Sequence, residues 1–215
     1  MRRSIMNDML LGVVAGATGT VALDTATYLD MALRGRASSA TPANVAGVIA
    51  DKLGAHTPAI IGQSSQAQSR RSGMGALLGY ATGCSLGVAY GLAHPWLGRS
   101  TPLFSGFVLG ALAMAASDTP AIALRQTNPR SWGVSGWLAD IAPHLVYGYI
   151  TAYTFEALWT QNANVASQKA QQALTQGRRQ ASRLAENISD VGGAVTTKRR
   201  ALHWPAIFVA ARNTQ

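Results

Sequence analysis

The chain has little charge. Only 13% of its 215 residues are Asp, Glu, Lys or Arg, roughly half the ~25% usual for globular proteins. Its single cysteine, Cys84, rules out an internal disulfide and a cysteine-built metal site. It lacks the G-x-x-x-x-G-K-[ST] phosphate loop, the G-x-S-x-G elbow, C-x-x-C and H-E-x-x-H, so nothing points to a nucleotide hydrolase, a serine hydrolase or a zinc enzyme. The glycines around Gly73-Met74-Gly75 follow no strand, so they do not make a dinucleotide fingerprint. An enzyme is not expected, and neither a cofactor nor a metal is called for.

Acidic residues are also scarce: nine, against eighteen Lys and Arg, for a net charge of +9. Most of the excess is arginine near the ends of apolar runs, which suits anionic lipid headgroups better than nucleic acid. The charge is unevenly placed. Residues 1–160 hold long apolar runs, and 161–215 are polar and basic. This predicts an all-α polytopic membrane domain over 1–160 and a basic amphipathic helical tail over 161–215.

Four transmembrane helices are expected, at about Met9–Leu33, Gly73–Ala93, Pro102–Leu124 and Trp137–Trp159, each near the ~20 residues that cross the hydrocarbon. Met1-Arg2-Arg3 before the first run could open a secretory signal. That run outlasts signal length and lacks an A-x-A cleavage pattern, so it reads as a first span. Within the loop between spans one and two, Thr41-Pro42 predicts a helix start. Val45, Val48, Ile49 and Leu53 recur at helical spacing, which predicts an interfacial helix near 42–54. With both termini cytoplasmic, eleven cations lie inside and seven outside, favouring that orientation.

Glycine is where the chain is rich. Gly75, Gly79, Gly83, Gly87 and Gly91 fall at every fourth position of span two, as in a glycine zipper. In lipid, small residues let helix backbones approach closely. A four-residue step exceeds the 3.6-residue turn, so the row winds around the helix. It is expected to receive spans one and three through Gly12 and Gly16 and through Gly106 and Gly110.

An internal repeat is visible as well. Gly12–Thr25 and Gly106–Thr119 share G-x-V-x-G-A, six residues, then D-T, with seven of fourteen positions identical. Two parallel hairpins related by a pseudo-two-fold along the membrane normal would follow; convergent small-residue packing is the other reading.

Four residues could carry chemistry. Asp24 and Asp118 are costly inside a span and need partners. Either they bind a cation or pass protons as a pair, or they hold helices in register through hydrogen bonds. Asp140 and His144 share a helical face, with Pro143 between them. A helix-entry ion pair is the plainer reading, and a shared metal the sharper one. Glu156 lies on another face and is expected to reach water near Trp159.

In the tail, Ala170, Leu174, Gly177, Ala181, Leu184, Ile188, Val191 and Val195 alternate four and three residues apart. Trp204–Val209 is too short to span and is expected to dip into the interface. Asp24–Met31 with Arg34-Gly35-Arg36, Ser117–Pro120, and Trp137–His144 with Tyr147-Gly148 resemble uncharacterised small multi-pass bacterial membrane proteins, and more distantly the YagU-like inner-membrane proteins. The resemblance implies a multi-pass helical protein of the bacterial plasma membrane and brings no reaction with it. The expected function is therefore non-enzymatic: a helix-packing component, homo-oligomeric or part of a larger membrane complex, whose tail meets lipid or a partner. The alternative is a small proton- or cation-coupled transporter or channel using Asp24, Asp118, Asp140 and His144; a membrane enzyme, the third, would require these acidic residues and His144 to converge on one cavity.

Overall fold

Ser64, at the head of a polar stretch, and Thr101, just before an apolar run, cap two of the long helices. Ser64 Oγ accepts from the Ala67 N–H, and Thr101 Oγ1 accepts from the Phe104 N–H with Pro102 in the first turn. The computed structural model describes residues 4–54, 62–97 and 101–200, with side chains as far as residue 185. The helices are α1 (Ile5–Arg34), α2 (Thr41–Lys52), α3 (Ser65–Ala93), α4 (Pro102–Ala123) and α5 (Gly133–Arg200), with a 3₁₀ turn at Pro129–Ser131. No strand occurs among the described residues. Helix α1 stops at Gly35, whose left-handed φ of 64° lets its N–H close on the Met31 carbonyl. Helix α3 begins well before the expected Gly73, because the cap at Ser64, rather than the edge of the apolar run, starts it.

The chain divides into a unit ending at Gln161 and a second beginning at Asn162. In the first, α1 and α3 run antiparallel with glycine against glycine. A Cβ on Gly12 would lie 2.4 Å from the Gly87 carbonyl oxygen, and one on Gly16 would lie 2.4 Å from that of Gly83. Gly106 and Gly110 do not enter the α3 groove as expected. They seat α5 instead: Gly106 lies under Tyr149, Gly110 lies under the His144–Leu145 backbone, and a Cβ on Gly148 would overlap Gly106 and Gly110. The bulk of α5 and its own glycine make it the better complement to α4.

Four of the five zipper glycines are packed, each against a different neighbour. Gly75 meets Pro42 of α2, Gly83 meets Thr20 and Tyr147, Gly87 meets Gly12 and Gly16, and Gly91 meets Asp8 and Phe155. Gly79 departs from the expectation, since a Cβ there would meet nothing within 4 Å. The winding of the row turns it away from α2 before α1 and α5 are reached. Helix α2 packs through Ala46, Gly47 and Ala50, with Gly47 beneath Arg71, while Leu53 of the expected apolar face is exposed.

The interior is built from small residues around Ala15, Tyr90, Leu109, Ala152 and Phe155. Apart from these and Tyr147, most of the large aliphatic and aromatic side chains point outward. Leu10, Val14, Val21 and Leu29 of α1, and Leu103, Phe104, Phe107 and Leu112 of α4, are all exposed. In water such a surface would aggregate; against lipid tails it is the stable arrangement. Among the described residues, three helices, α1, α3 and α4, are long and apolar enough to cross a membrane. The fourth expected span is not among them. Its stretch of α5 contains Asp140, Pro143, His144, Glu156 and three tyrosines, which lower its apolarity.

Helix α5 runs on to Arg200 through Gly192-Gly193. From Gln171 to Ala185 every side chain is exposed. The side chains of Ile188, Val191 and Val195, and all of Trp204–Val209, lie outside the described residues.

Candidate functional site

Along the inner face of α5, Asp140, His144, Tyr147 and Thr151 recur at steps of four, three and four, one polar stripe on a 3.6-residue helix. Tyr147 and Thr151 are fully buried. The Tyr147 hydroxyl donates to the Gly83 carbonyl at 2.7 Å. Thr151 lies against Gly19, whose missing side chain leaves room for it. Polar groups therefore line the seam that α5 makes with α1 and α3.

At the start of α5 the stripe meets α4. His144 Nδ1 is 2.8 Å from the Asp140 carbonyl oxygen and 3.3 Å from Asp140 Oδ1. Both are acceptors, so the ring carries its proton on Nδ1. His144 Nε2 is 3.2 Å from Ser117 Oγ, itself bonded to the Met114 carbonyl. Asp118 brings its carboxyl to Asp140, within the field of the His144 ring. Asp140 Oδ2 is buried with no hydrogen-bond donor on it, and the neighbouring Asp118 carboxyl can donate to Asp140 only when it carries a proton. Sequence-predicted Asp118, Asp140 and His144 thus come together, with Ser117 as an addition.

Asp24 stands apart. Its carboxyl takes a hydrogen bond from Tyr80 across the α1–α3 seam. The expected acidic pair of Asp24 and Asp118 is therefore two separate contacts. Among the described residues, no group of three His, Cys, Asp or Glu side chains could hold a metal ion. The Asp140–His144 contact is a hydrogen-bonded i, i+4 pair within α5 rather than the helix-entry pair expected, because the helix already begins at Gly133.

A second cluster was not legible in the sequence. Glu156 does not simply reach water: its Oε1 is 2.7 Å from His94 Nε2 and 3.2 Å from the Tyr90 hydroxyl. The His94 ring is enclosed by Tyr90, Phe155 and Trp159, with centroids 4.7–5.9 Å away. The pair closes the end of the bundle opposite Asp140. At the end of α1, Asp30 binds both Arg34 and Arg36, and Arg34 Nη1 donates to Ser135 at 2.9 Å. That link ties the end of α1 to the beginning of α5. The only sequence signal for it is the i, i+4 spacing of Asp30 and Arg34.

These arrangements can hold protons and fix helices in register, and Ser117, His144 and Asp140 stand in one hydrogen-bonded line. No protein-family model, no curated protein and no solved structure matches this chain.

Proposed function

We propose that this is a non-enzymatic integral membrane protein of the bacterial inner membrane, with four crossings and cytoplasmic termini. Its first unit is a helix-packed anchor, and its tail is the contact element that joins it to lipid or to a larger membrane assembly. The fourth crossing is α5 from about Trp137 to Trp159. Its polar residues face the other three helices, so its low apolarity is compatible with burial in protein. The two glycine-seated pairs, α1 on α3 and α4 on α5, fit an internal duplication, since each first helix uses the same G-x-x-x-G.

One observation carries the reading. The packing glycines are consumed inside the unit, while the tail side chains from Gln171 to Ala185 are all exposed. The tail rather than the zipper is then free to meet something else. Photocrosslinkers placed at Leu174 and Arg179, and at outward positions of the bundle such as Phe107, test this in native membranes. The tail positions are expected to yield lipid or protein adducts beyond those seen at Phe107. Tail positions that react only with water would overturn it.

A second reading is favoured by the gathering of Ser117, Asp118, Asp140 and His144: a small proton- or cation-coupled transporter working at that cluster, without Asp24. Proton or cation flux in proteoliposomes decides it. Flux no greater than in empty vesicles removes the class, and flux unchanged in Asp118→Asn removes the residue.

A further inference from the structure

In the α4–α5 seam, Ser117, His144 and Asp140 stand in an order that suits proton removal from a hydroxyl. Ser117 is exposed. Behind it, the His144 side chain is 12% exposed and that of Asp140 21%. His144 keeps its proton on Nδ1, because the Asp140 carbonyl oxygen at 2.8 Å and Oδ1 at 3.3 Å are both acceptors there. The Nε2 lone pair is then turned to Ser117 Oγ, 3.2 Å away. That is the tautomer and the reach of a general base. The hydroxyl has one hydrogen and a second acceptor, the Met114 carbonyl at 3.0 Å. It is activated when its O–H turns to Nε2.

We propose that Ser117 is an acyl-accepting nucleophile, with His144 as its general base and Asp140 as the positioning residue behind the ring. The surroundings fix the class of donor. Ser117 lies in the body of α4, where backbone N–H groups are bonded within the helix and are not free to hold an oxyanion. A general base supplies about 10²–10⁴ in rate, and each missing oxyanion donor forfeits about 10²–10³. With the base alone, amides and plain alkyl esters are out of reach, and the donor must carry a leaving group as good as a thiolate. An acyl thioester fits. Oγ bonds the thioester carbonyl carbon as its proton passes to Nε2; the C–S bond then breaks, and the thiolate leaves with that proton. The acyl-serine is a plain ester without an activated leaving group, so the reaction stops with one acyl group on the chain. This is a modification of the protein rather than a turnover. It goes beyond the anchoring role proposed above and stands whether or not the tail meets anything.

Full-length protein lacking the native thiol (Cys84→Ala), held in mild detergent, tests it with octanoyl-N-acetylcysteamine thioester, read by intact and peptide mass. One octanoyl group is expected, on the peptide that holds Ser117, and none in Ser117→Ala. His144→Gln should slow the reaction at least about 100-fold. The rate should rise with pH as the ring loses its second proton, and that rise should vanish in His144→Gln. Asp118 from α4 and Asp140 from α5 are the ionisable groups that face the ring. Asp140→Asn should slow the reaction less, since the Asp140 carbonyl still holds Nδ1–H, and should displace the pH profile, which a merely structural substitution would leave in place. Ser117→Cys keeps a nucleophile at the site, and its alkylation by iodoacetamide should also slow when His144→Gln is added. Acylation that persists in Ser117→Ala, spreads over other hydroxyls and lysines, or ignores His144→Gln would overturn the proposal. So would the absence of acylation in protein that is helical and unfolds cooperatively.

Discussion

The α1–α3 and α4–α5 pairs use one device with two outcomes. In each, a G-x-x-x-G on the first helix brings an antiparallel partner to backbone contact. In α1–α3 the partner answers with glycines of its own, and the seam is mostly main chain. In α4–α5 the partner has a single glycine, Gly148, flanked by Tyr147 and Tyr149 and preceded by His144. Close approach is therefore reached in the first pair by removing side chains, and in the second by fitting them around one gap. The first arrangement gives contact with one polar link, the Tyr80 hydroxyl on Asp24. The second leaves polar groups inside the seam, and the Asp118–Asp140–His144 cluster sits there.

The sharpest way to break the comparison is to fill the seats. Gly87→Leu would drive a side chain into Gly12 and Gly16, and Gly148→Leu would drive one into Gly106 and Gly110. Both obstructions are backbone, which cannot rotate away. Each variant is expected to lose at least about 3 kcal/mol, at the upper end of overpacking costs, read as thermal or SDS unfolding in mild detergent. If Gly148→Leu were tolerated while Gly87→Leu was not, the second pair would be held by its side chains rather than by helix contact.

A smaller effect is expected at the end that ties α3 to α5. Glu156→Ala leaves His94 Nε2 and the Tyr90 hydroxyl without their shared acceptor, within an aromatic surround. The loss should be about 2 kcal/mol, as for hydrogen bonds involving a charged group. Glu156→Gln, which keeps an acceptor oxygen, should recover part of it. Equal losses in the two variants would show that shape rather than the polar contact matters there.

This cluster also shows where reading the sequence stops. Helical spacing exposes contacts within a turn or two, so Asp140 with His144, the apolar runs and most of the zipper were legible. His94 and Glu156 are sixty-two residues apart on different helices. No periodicity joins them, and each alone resembles a residue at a membrane edge. The partner of Gly106 and Gly110 was hidden for the same reason. A small-residue face announces that something packs on it without saying which of the three other helices that is. The beginning of α3 was obscured differently, since hydropathy marks where lipid begins and the cap at Ser64 marks where the helix does.

The aspartates separate the pairs by sign. Tyr80→Phe removes the hydroxyl that bonds Asp24 and should lower the thermal midpoint slightly. Asp118→Asn does the opposite. It places an amide donor beside Asp140, whose Oδ2 is buried without one, and should stabilise by about 1 kcal/mol. Thermal midpoints in the same detergent give both. A loss on Asp118→Asn would mean that a shared proton between the two carboxyls is the stronger link.

The smallest expected effect lies within the glycine row and has its own sign. Gly79 is exposed, and a Cβ there would meet nothing within 4 Å. The two-turn neighbour Gly87 would place its Cβ 2.2 Å from the Gly12 carbonyl oxygen. Alanine at 79 adds no clash and removes the backbone freedom that glycine carries in the unfolded chain, so Gly79→Ala should stabilise α3 by about 0.5–1 kcal/mol. Gly87→Ala must push α1 away and should destabilise. Both substitutions add one methyl to one helix, so propensity alone would move both midpoints upward. If Gly79→Ala destabilised as well, that surface would be in contact with something besides lipid, and the row would serve a second helix from outside the chain.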